Sequence, residues 1–249
     1  MKTARKIVAI GGGELRTQET VAIDKCIIGL TDKPQPKALF IPTASGDAEG
    51  YIHAFEMCYG ERFGCETRVL KLIQNPPSFA EMSALVLDSD LIYVGGGNTY
   101  RMMKIWRRLK LDILLAEAAA RGVVLSGLSA GAICWFRYGH SDSRSFSGNV
   151  TWDYIRVSGL GFINAVYCPH YHSKEREIAF LKMIEKRGGI GIACDNNAAI
   201  EVVGDHYRVL TSLPNAKAYK LFKRGGCFVV SELPQQTEYA PLDQLLKRE

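Results

Sequence analysis

The sequence predicts an α/β fold: a mostly parallel sheet covered by helices on both faces, with a small antiparallel C-terminal portion. Three observations predict it. Up to about residue 186, short apolar runs alternate with longer amphipathic ones, a pattern that implies right-handed crossovers between parallel strands. Two of the apolar runs stop abruptly at glycine triplets, Gly11–Gly12–Gly13 and Gly95–Gly96–Gly97, which read as tight turns. Beyond residue 190 the chain changes to short apolar runs separated by turn residues.

The elements follow in order. Lys6 to Ile10 reads as the first strand, and Thr17 to Leu30 as a helix. Ala38 to Ile41 is a strand stopped by Pro42. Asp47 to Phe63 reads as a helix with Ile52, Phe55 and Tyr59 on one face. Arg68 to Leu72 and Leu91 to Val94 are the third and fourth strands. A helix starts at Asn98 and carries Met102, Met103, Trp106 and Leu109 at helical spacing. That stripe reads as core rather than as a cofactor site. Val123 to Leu125 is the fifth strand, and the apolar stretch Ala132 to Phe136 continues as a helix. Residues 139 to 160 read as irregular, and a loop of that length in a compact domain is often functional. Phe162 to Cys168 is strand-like, and Ser173 to Lys186 is helical. Five short strands close the chain: Ile190 to Cys194, Ala199 to Val203, Tyr207 to Leu210, Ala218 to Phe222 and Cys227 to Val230.

Composition narrows the function classes. The 249 residues fit one domain spanning 1–249, large enough to bury a core without disulfides or metal. The net charge of +5 is mild. The densest basic stretch, Arg101 to Lys110, reads as the wet side of a helix, so nucleic acid is not an expected partner. The seven cysteines include no C-x-x-C pair, so a zinc site or redox pair is not expected and buried free thiols are. The apolar run after the basic N-terminus is only Ile7 to Ile10, too short for a signal-peptide core. No window approaches the ~20 apolar residues of a membrane span. The cytoplasm is the expected location, and Asn149–Val150–Thr151 reads as a chance match to a glycosylation acceptor.

The strongest chemical motif is Gly127–Leu128–Ser129–Ala130–Gly131, set between an apolar strand and an apolar helix-like stretch. G-x-S-x-G needs that context: a serine on a sharp strand-to-helix turn presents its hydroxyl outside the sheet. The helix start behind it offers free N–H groups to a developing negative charge. Tyr93 to Thr99 holds a second glycine turn. Parallel strands end on the same side, so its N–H groups could sit beside Ser129 and complete an oxyanion hole with Ala130. It also fits a phosphate loop capped by Asn98 or Thr99, and Gly11 to Glu14 invites the same reading, but neither carries a P-loop lysine or G-x-G-x-x-G spacing.

A serine nucleophile needs a base, and histidine is the usual one. Cys168–Pro169–His170–Tyr171–His172 follows a strand-like run, which favours His170, with His172 in an orienting or binding role and His140 still open. A triad also needs a group to hold the imidazole tautomer. The carboxylate candidates are Asp142, Asp153, Asp195 and Glu201. Asp142 would give the chain order Ser, Asp, His, and Asp195 is the alternative.

Taken together, Gly11 to Glu14, Phe40–Ile41–Pro42–Thr43, Val94 to Thr99, Gly127 to Gly131 and Pro169–His170 make the chain resemble the peptidase E family of serine peptidases, which includes cyanophycinase. The resemblance implies a three-layer α/β/α sandwich like that of the class I glutamine amidotransferases, within the flavodoxin-like group. It implies Ser129 as nucleophile, His170 as base, and Gly97 with Ala130 as oxyanion donors. It points to Asp142 as third member. A cyanophycinase-type glutamate would fall at Asn196, with Asp195 beside it. The activity implied is hydrolysis of dipeptides with an N-terminal Asp, whose side chain a basic residue holds. Arg176 and Lys174 are candidates for that residue, Arg176 the better for bidentate carboxylate binding. No cofactor and no membrane partner are expected, and a homodimer is one assembly open to it. Rival readings are an esterase or amidase on the same framework, and a non-enzymatic nucleotide- or anion-binding module.

Overall fold

The structure, a computed structural model, describes residues 4–148 and 151–248. Asn149 and Val150 of the glycosylation match lie outside them. β1 (Lys6–Ile10) leads through the first glycine loop to α1 (Val21–Gly29), and β2 (Lys37–Ile41) to α2 (Glu49–Phe55). α2 continues as a π-helical segment, Glu56–Arg62, before β3 (Glu66–Val69). Then come α3 (Phe79–Leu87), β4 (Leu91–Val94), α4 (Thr99–Leu109), α5 (Leu111–Arg121) and β5 (Val124–Leu128).

These strands lie in the order β1-β5-β4-β2-β3, and every neighbouring pair is parallel. The register sets Ile10 against Leu128 and Val94 against Gly127. Gly11, Gly95 and Ser129 therefore leave the sheet at the same edge, where the strand-to-helix loops of a parallel sheet collect.

After Ser129 the chain changes sheet. α6 (Ala130–Ile133) is about one turn, followed by β6 (Phe136–Ser141), β7 (Ile155–Ser158), β8 (Ile163–Cys168), α7 (Lys174–Arg187) and β9 (Gly191–Cys194). β10 (Ala198–Val203) returns to pair antiparallel with β1, and β11 (His206–Thr211) with β10. β12 (Ala218–Arg224) and β13 (Cys227–Leu233) extend the second sheet antiparallel from β9. β14 (Ala240–Pro241) and α8 (Leu242–Leu246) end the described chain. The two sheets run β14-β11-β10-β1-β5-β4-β2-β3 and β13-β12-β9-β8-β6-β7.

The expected single central sheet thus gives way to two, and antiparallel pairing is not confined to the C-terminal portion, since β7 runs antiparallel to β6. The misreading lies at Ala132 to Phe136. An apolar run without alternation does not separate a buried helix from a buried strand, and here one helical turn passes into β6. Part of the stretch read as irregular, 139 to 160, is paired strand, with Gly139 opposite Val157. α3 has no counterpart in the sequence reading, although its start carries a capping signal. The N–H of Glu81 donates to Ser78 Oγ at 3.3 Å, and that of Ser78 to the Glu81 carboxylate at 2.8 Å.

The Met102, Met103 and Trp106 stripe is buried as core. All seven cysteines are free; five are buried, while Cys26 is half-buried and Cys227 exposed. No helix among the described residues is long and apolar enough to cross a membrane.

Candidate active site

Ser129 is the single residue between β5 and α6, and it turns the chain with φ 55° and ψ −107°. A non-glycine residue seldom takes such dihedrals, and strain of this kind persists only where the surroundings impose it. Here they do: the Ser129 N–H donates to Ile10 O at 3.0 Å, and its carbonyl accepts from Ala132 and Ile133, both at 3.0 Å. The bend lifts the half-buried side chain out of the sheet edge toward the second sheet.

His170 meets it from the end of β8. Its backbone is also left-handed, φ 53°, and its N–H donates to Gly11 O at 3.1 Å. Nε2 lies 2.8 Å from Ser129 Oγ, and Nδ1 lies 2.6 Å from Asn196 Oδ1. An amide oxygen accepts only, so Nδ1 carries the proton and Nε2 is free to accept the serine hydroxyl. Burial holds the imidazole below its ordinary pKa of 6.5, partly offset by the Asn196 bond, so the neutral base is the resting form.

The first glycine loop explains how His170 and Asn196 approach so closely. A Cβ on Gly12 would stand 2.1 Å from Asn196 Oδ1 and 2.4 Å from His170 Nδ1. Gly12 O accepts the Asn197 N–H at 2.9 Å, tying β1 to the turn before β10. The loop that invited a nucleotide reading is the wall behind the imidazole.

The second glycine loop faces the serine. An ideal Cβ on Gly96 would lie 3.5 Å from Ser129 Cβ. Gly97, at φ +134°, would drive a Cβ to 2.3 Å from Ala44 O, so only glycine fits. Asn98 caps α4, its Oδ1 accepting from the Arg101 N–H at 2.9 Å. Ala130 opens α6, where first-turn N–H groups have no intrahelical acceptor. A hydroxyl, a correctly tautomeric imidazole and amide donors at one edge are the parts that acyl transfer requires.

The carboxylates go elsewhere. Asp142 accepts from Arg176 Nη2 at 2.6 Å, so the predicted third member is not on the imidazole. A carboxylate beside an arginine that is only 6% exposed is held there, because separating them would leave a buried cation without its counter-ion. Arg176, offered as a substrate anchor, is thereby engaged, and its guanidinium also lies 4.9 Å over the Tyr154 ring. Asp195 Oδ2 accepts the Lys217 N–H at 3.2 Å. Burial raises its pKa. Glu201 sits in β10 between Arg208 and Tyr239. Asp153 is exposed and lines a cavity of about 1060 Å³ between β7 and α7, whose lining includes neither Ser129 nor His170. Lys174 pairs with Glu177 at 2.8 Å on the surface. His172 Nδ1 lies 3.5 Å from the Asn196 N–H. His140 lies in β6, fully buried, rather than in a loop.

Asn196 is the functional candidate that sequence reasoning set aside. A triad pattern calls for a carboxylate, and this position holds an amide. The usable signal was positional: a polar side chain directly after a strand at the catalytic edge, whatever its charge. Among the described residues, no cluster of three or more His, Cys, Asp or Glu side chains could hold a metal ion.

The chain is similar to known peptidases in sequence and in fold. The sequence model of Peptidase family S51 matches residues 7–210. The chain is 34% identical over 239 residues to "Uncharacterized peptidase YgaJ" of Bacillus subtilis (strain 168), covering 94% of this chain and 99% of the relative. It is 31% identical over 153 residues to "Uncharacterized peptidase Lin0382" of Listeria innocua, covering 59% and 68%. In three dimensions it is similar to the crystal structure of a peptidase from an acI-B1 Actinobacterium, with a TM-score of 0.74, 22% identity and coverage of 96% and 98%, a likeness of fold.

Proposed function

The chain belongs to peptidase family S51, and on that premise we propose that it is a serine-type peptidase that cleaves small peptides through an acyl-enzyme on Ser129. The observation that carries the proposal is the 2.8 Å contact between a conformationally strained serine hydroxyl and His170 Nε2. His170 removes the hydroxyl proton as Ser129 Oγ attacks the peptide carbonyl. The tetrahedral oxyanion rests on the N–H groups of Gly97 and Ala130. His170 then protonates the leaving amine, and a water molecule activated by the same imidazole hydrolyses the ester.

Asn196 takes the third place, in preference to Asp142 and Asp195. It holds the tautomer as a carboxylate would, through its oxygen on Nδ1–H. Being neutral, it stabilises the transient imidazolium less than an anion does. The affiliation with class I glutamine amidotransferases implied by the motifs belongs to the same proposal.

Dipeptides with an N-terminal Asp are part of it too, with one physical condition. A substrate carboxylate can reach Arg176 only by competing with Asp142 at 2.6 Å. The test is a panel of Asp-X dipeptides, other dipeptides and p-nitrophenyl esters, with wild type and Ser129→Ala. Peptide turnover by wild type, reduced at least ~10³-fold in Ser129→Ala, is expected. Turnover of esters alone, or undiminished peptide hydrolysis by Ser129→Ala, rejects the reading.

A further inference from the structure

The geometry points to Tyr51 as a positioning residue for the oxyanion loop: its hydroxyl accepts the Gly96 N–H and its ring backs Gly95, which fixes the peptide directly before the one whose Gly97 N–H serves the substrate oxygen. The inference rests on the serine mechanism proposed above, and it concerns a residue of α2 that lies outside the sequence motifs.

The Gly96 N–H donates to Tyr51 Oη at 3.3 Å. A Cβ at Gly95 would stand 2.9 Å from Tyr51 Cε1 and 3.2 Å from Phe40 Cζ. Behind Gly97, Ala44 O accepts the Asn98 N–H at 2.9 Å. The loop is therefore held on three sides: an aromatic wall at Gly95, a hydroxyl at Gly96 and a backbone wall at Gly97.

The consequence is directional. Three successive glycines would otherwise have the freest backbone of any tripeptide, and a donor that must wait for the right conformation loses its advantage in the transition state. Tyr51 satisfies the amide next to the catalytic one and points it away from the site. It is itself held by a packed aromatic series. Its ring meets Phe40 edge-on at 5.1 Å, Phe40 stacks on Phe55 at 4.7 Å, and Phe55 stacks on Tyr59 at 4.5 Å. Tyr59 Oη donates to the buried carboxylate of Asp24 at 2.8 Å, which anchors the far end of the series. A preformed hole is worth more than one assembled by the substrate, because no reorganisation is needed when charge develops.

The test compares Tyr51→Phe with Leu245→Ala in the full-length protein, using the dipeptide of the panel that wild type cleaves fastest. Tyr51→Phe keeps the ring and removes only the hydroxyl. It is expected to lower kcat about tenfold with KM within twofold, and to leave the thermal midpoint nearly unchanged. Leu245→Ala removes a buried side chain of α8, in a part of the core that the aromatic series does not reach. It is expected to lower the thermal midpoint and to leave kcat within twofold. A Tyr51→Phe enzyme with wild-type kcat overturns the inference, as does a Leu245→Ala enzyme that shows the same kcat loss. Ser129→Ala, run in parallel, keeps the two readings apart: its failure to abolish hydrolysis would reject the serine mechanism, whereas a silent Tyr51→Phe beside an inactive Ser129→Ala rejects only the role of Tyr51.

Discussion

His140 and His170 sit in neighbouring regions of the second sheet, and burial lowers the pKa of both, His140 to about 3. Their surroundings differ. His140 is fully buried, stacked on Tyr154 at 4.3 Å. Its Nδ1 is 3.5 Å from the Cys168 thiol, and its Nε2 has no hydrogen-bond partner among the described residues. His170 is half-buried, with a hydroxyl on one nitrogen and an amide oxygen on the other. A depressed pKa therefore does not mark a catalytic base. The marks are a reactable hydroxyl on one side, an orienting acceptor on the other, and access for substrate. His140 packs against Cys168, two residues before His170, and supports the loop instead.

The sharpest way to break that comparison is to remove each ring. His170→Ala should lower kcat/KM by about 10³-fold, and His140→Phe by less than about fivefold. Equal losses in steady-state assays would erase the distinction. Next in size is Gly12→Ala. Its methyl group would collide with both Asn196 and His170, so kcat should fall about 10²-fold while circular dichroism stays native. Unchanged kcat would mean that the His170–Asn196 pair tolerates displacement.

Acid stability separates the two histidines differently. The native pKa of His140 lies below its ordinary 6.5. The unfolded chain therefore takes up a proton below about pH 6.5 that the native state refuses until about pH 3, and stability falls with acidification across that window. Asp24 acts in the opposite sense: burial raises its pKa from 3.8 to about 6, so its contribution falls as pH rises between those values. The difference between wild type and His140→Phe isolates the histidine. Urea midpoints at pH 7 and pH 4 should show wild type losing about 2–3 kcal/mol more than the variant on acidification. Identical pH dependence would contradict the buried neutral His140.

The smallest effect concerns Asn196. Asn196→Asp places an anion on His170 Nδ1 and should move the acidic limb of the kcat/KM profile upward by about one pH unit, with kcat altered only a few-fold. An unmoved limb would take Asn196 off the imidazole.

How much was legible in advance follows from how local each feature is. The elbow at Ser129 could be read because a strand, a Gly-x-Ser-x-Gly turn and a following turn of helix are written in adjacent residues. β1, β2, β4 and β5 could be read because buried parallel strands are short, nearly continuous apolar runs. β6 could not, because Ala132 to Phe136 is apolar in either conformation. The setting of Asp142 was hidden for a similar reason: the sequence shows a carboxylate at a suitable distance along the chain, and not the Arg176 guanidinium, 34 residues later, that it pairs with.

By itself, the sequence determined the covalent and short-range constraints: where the backbone must bend, which turns admit only glycine, and which side chains carry a nucleophile or a base. Tertiary structure decided the partnerships. His170 lies 41 residues from Ser129 and 26 from Asn196, and contacts across such distances depend on how two sheets meet at one edge. The same packing set the electrostatics: Asp142 pairs with the nearly buried Arg176, and the neutral amide of Asn196 lies against His170 Nδ1.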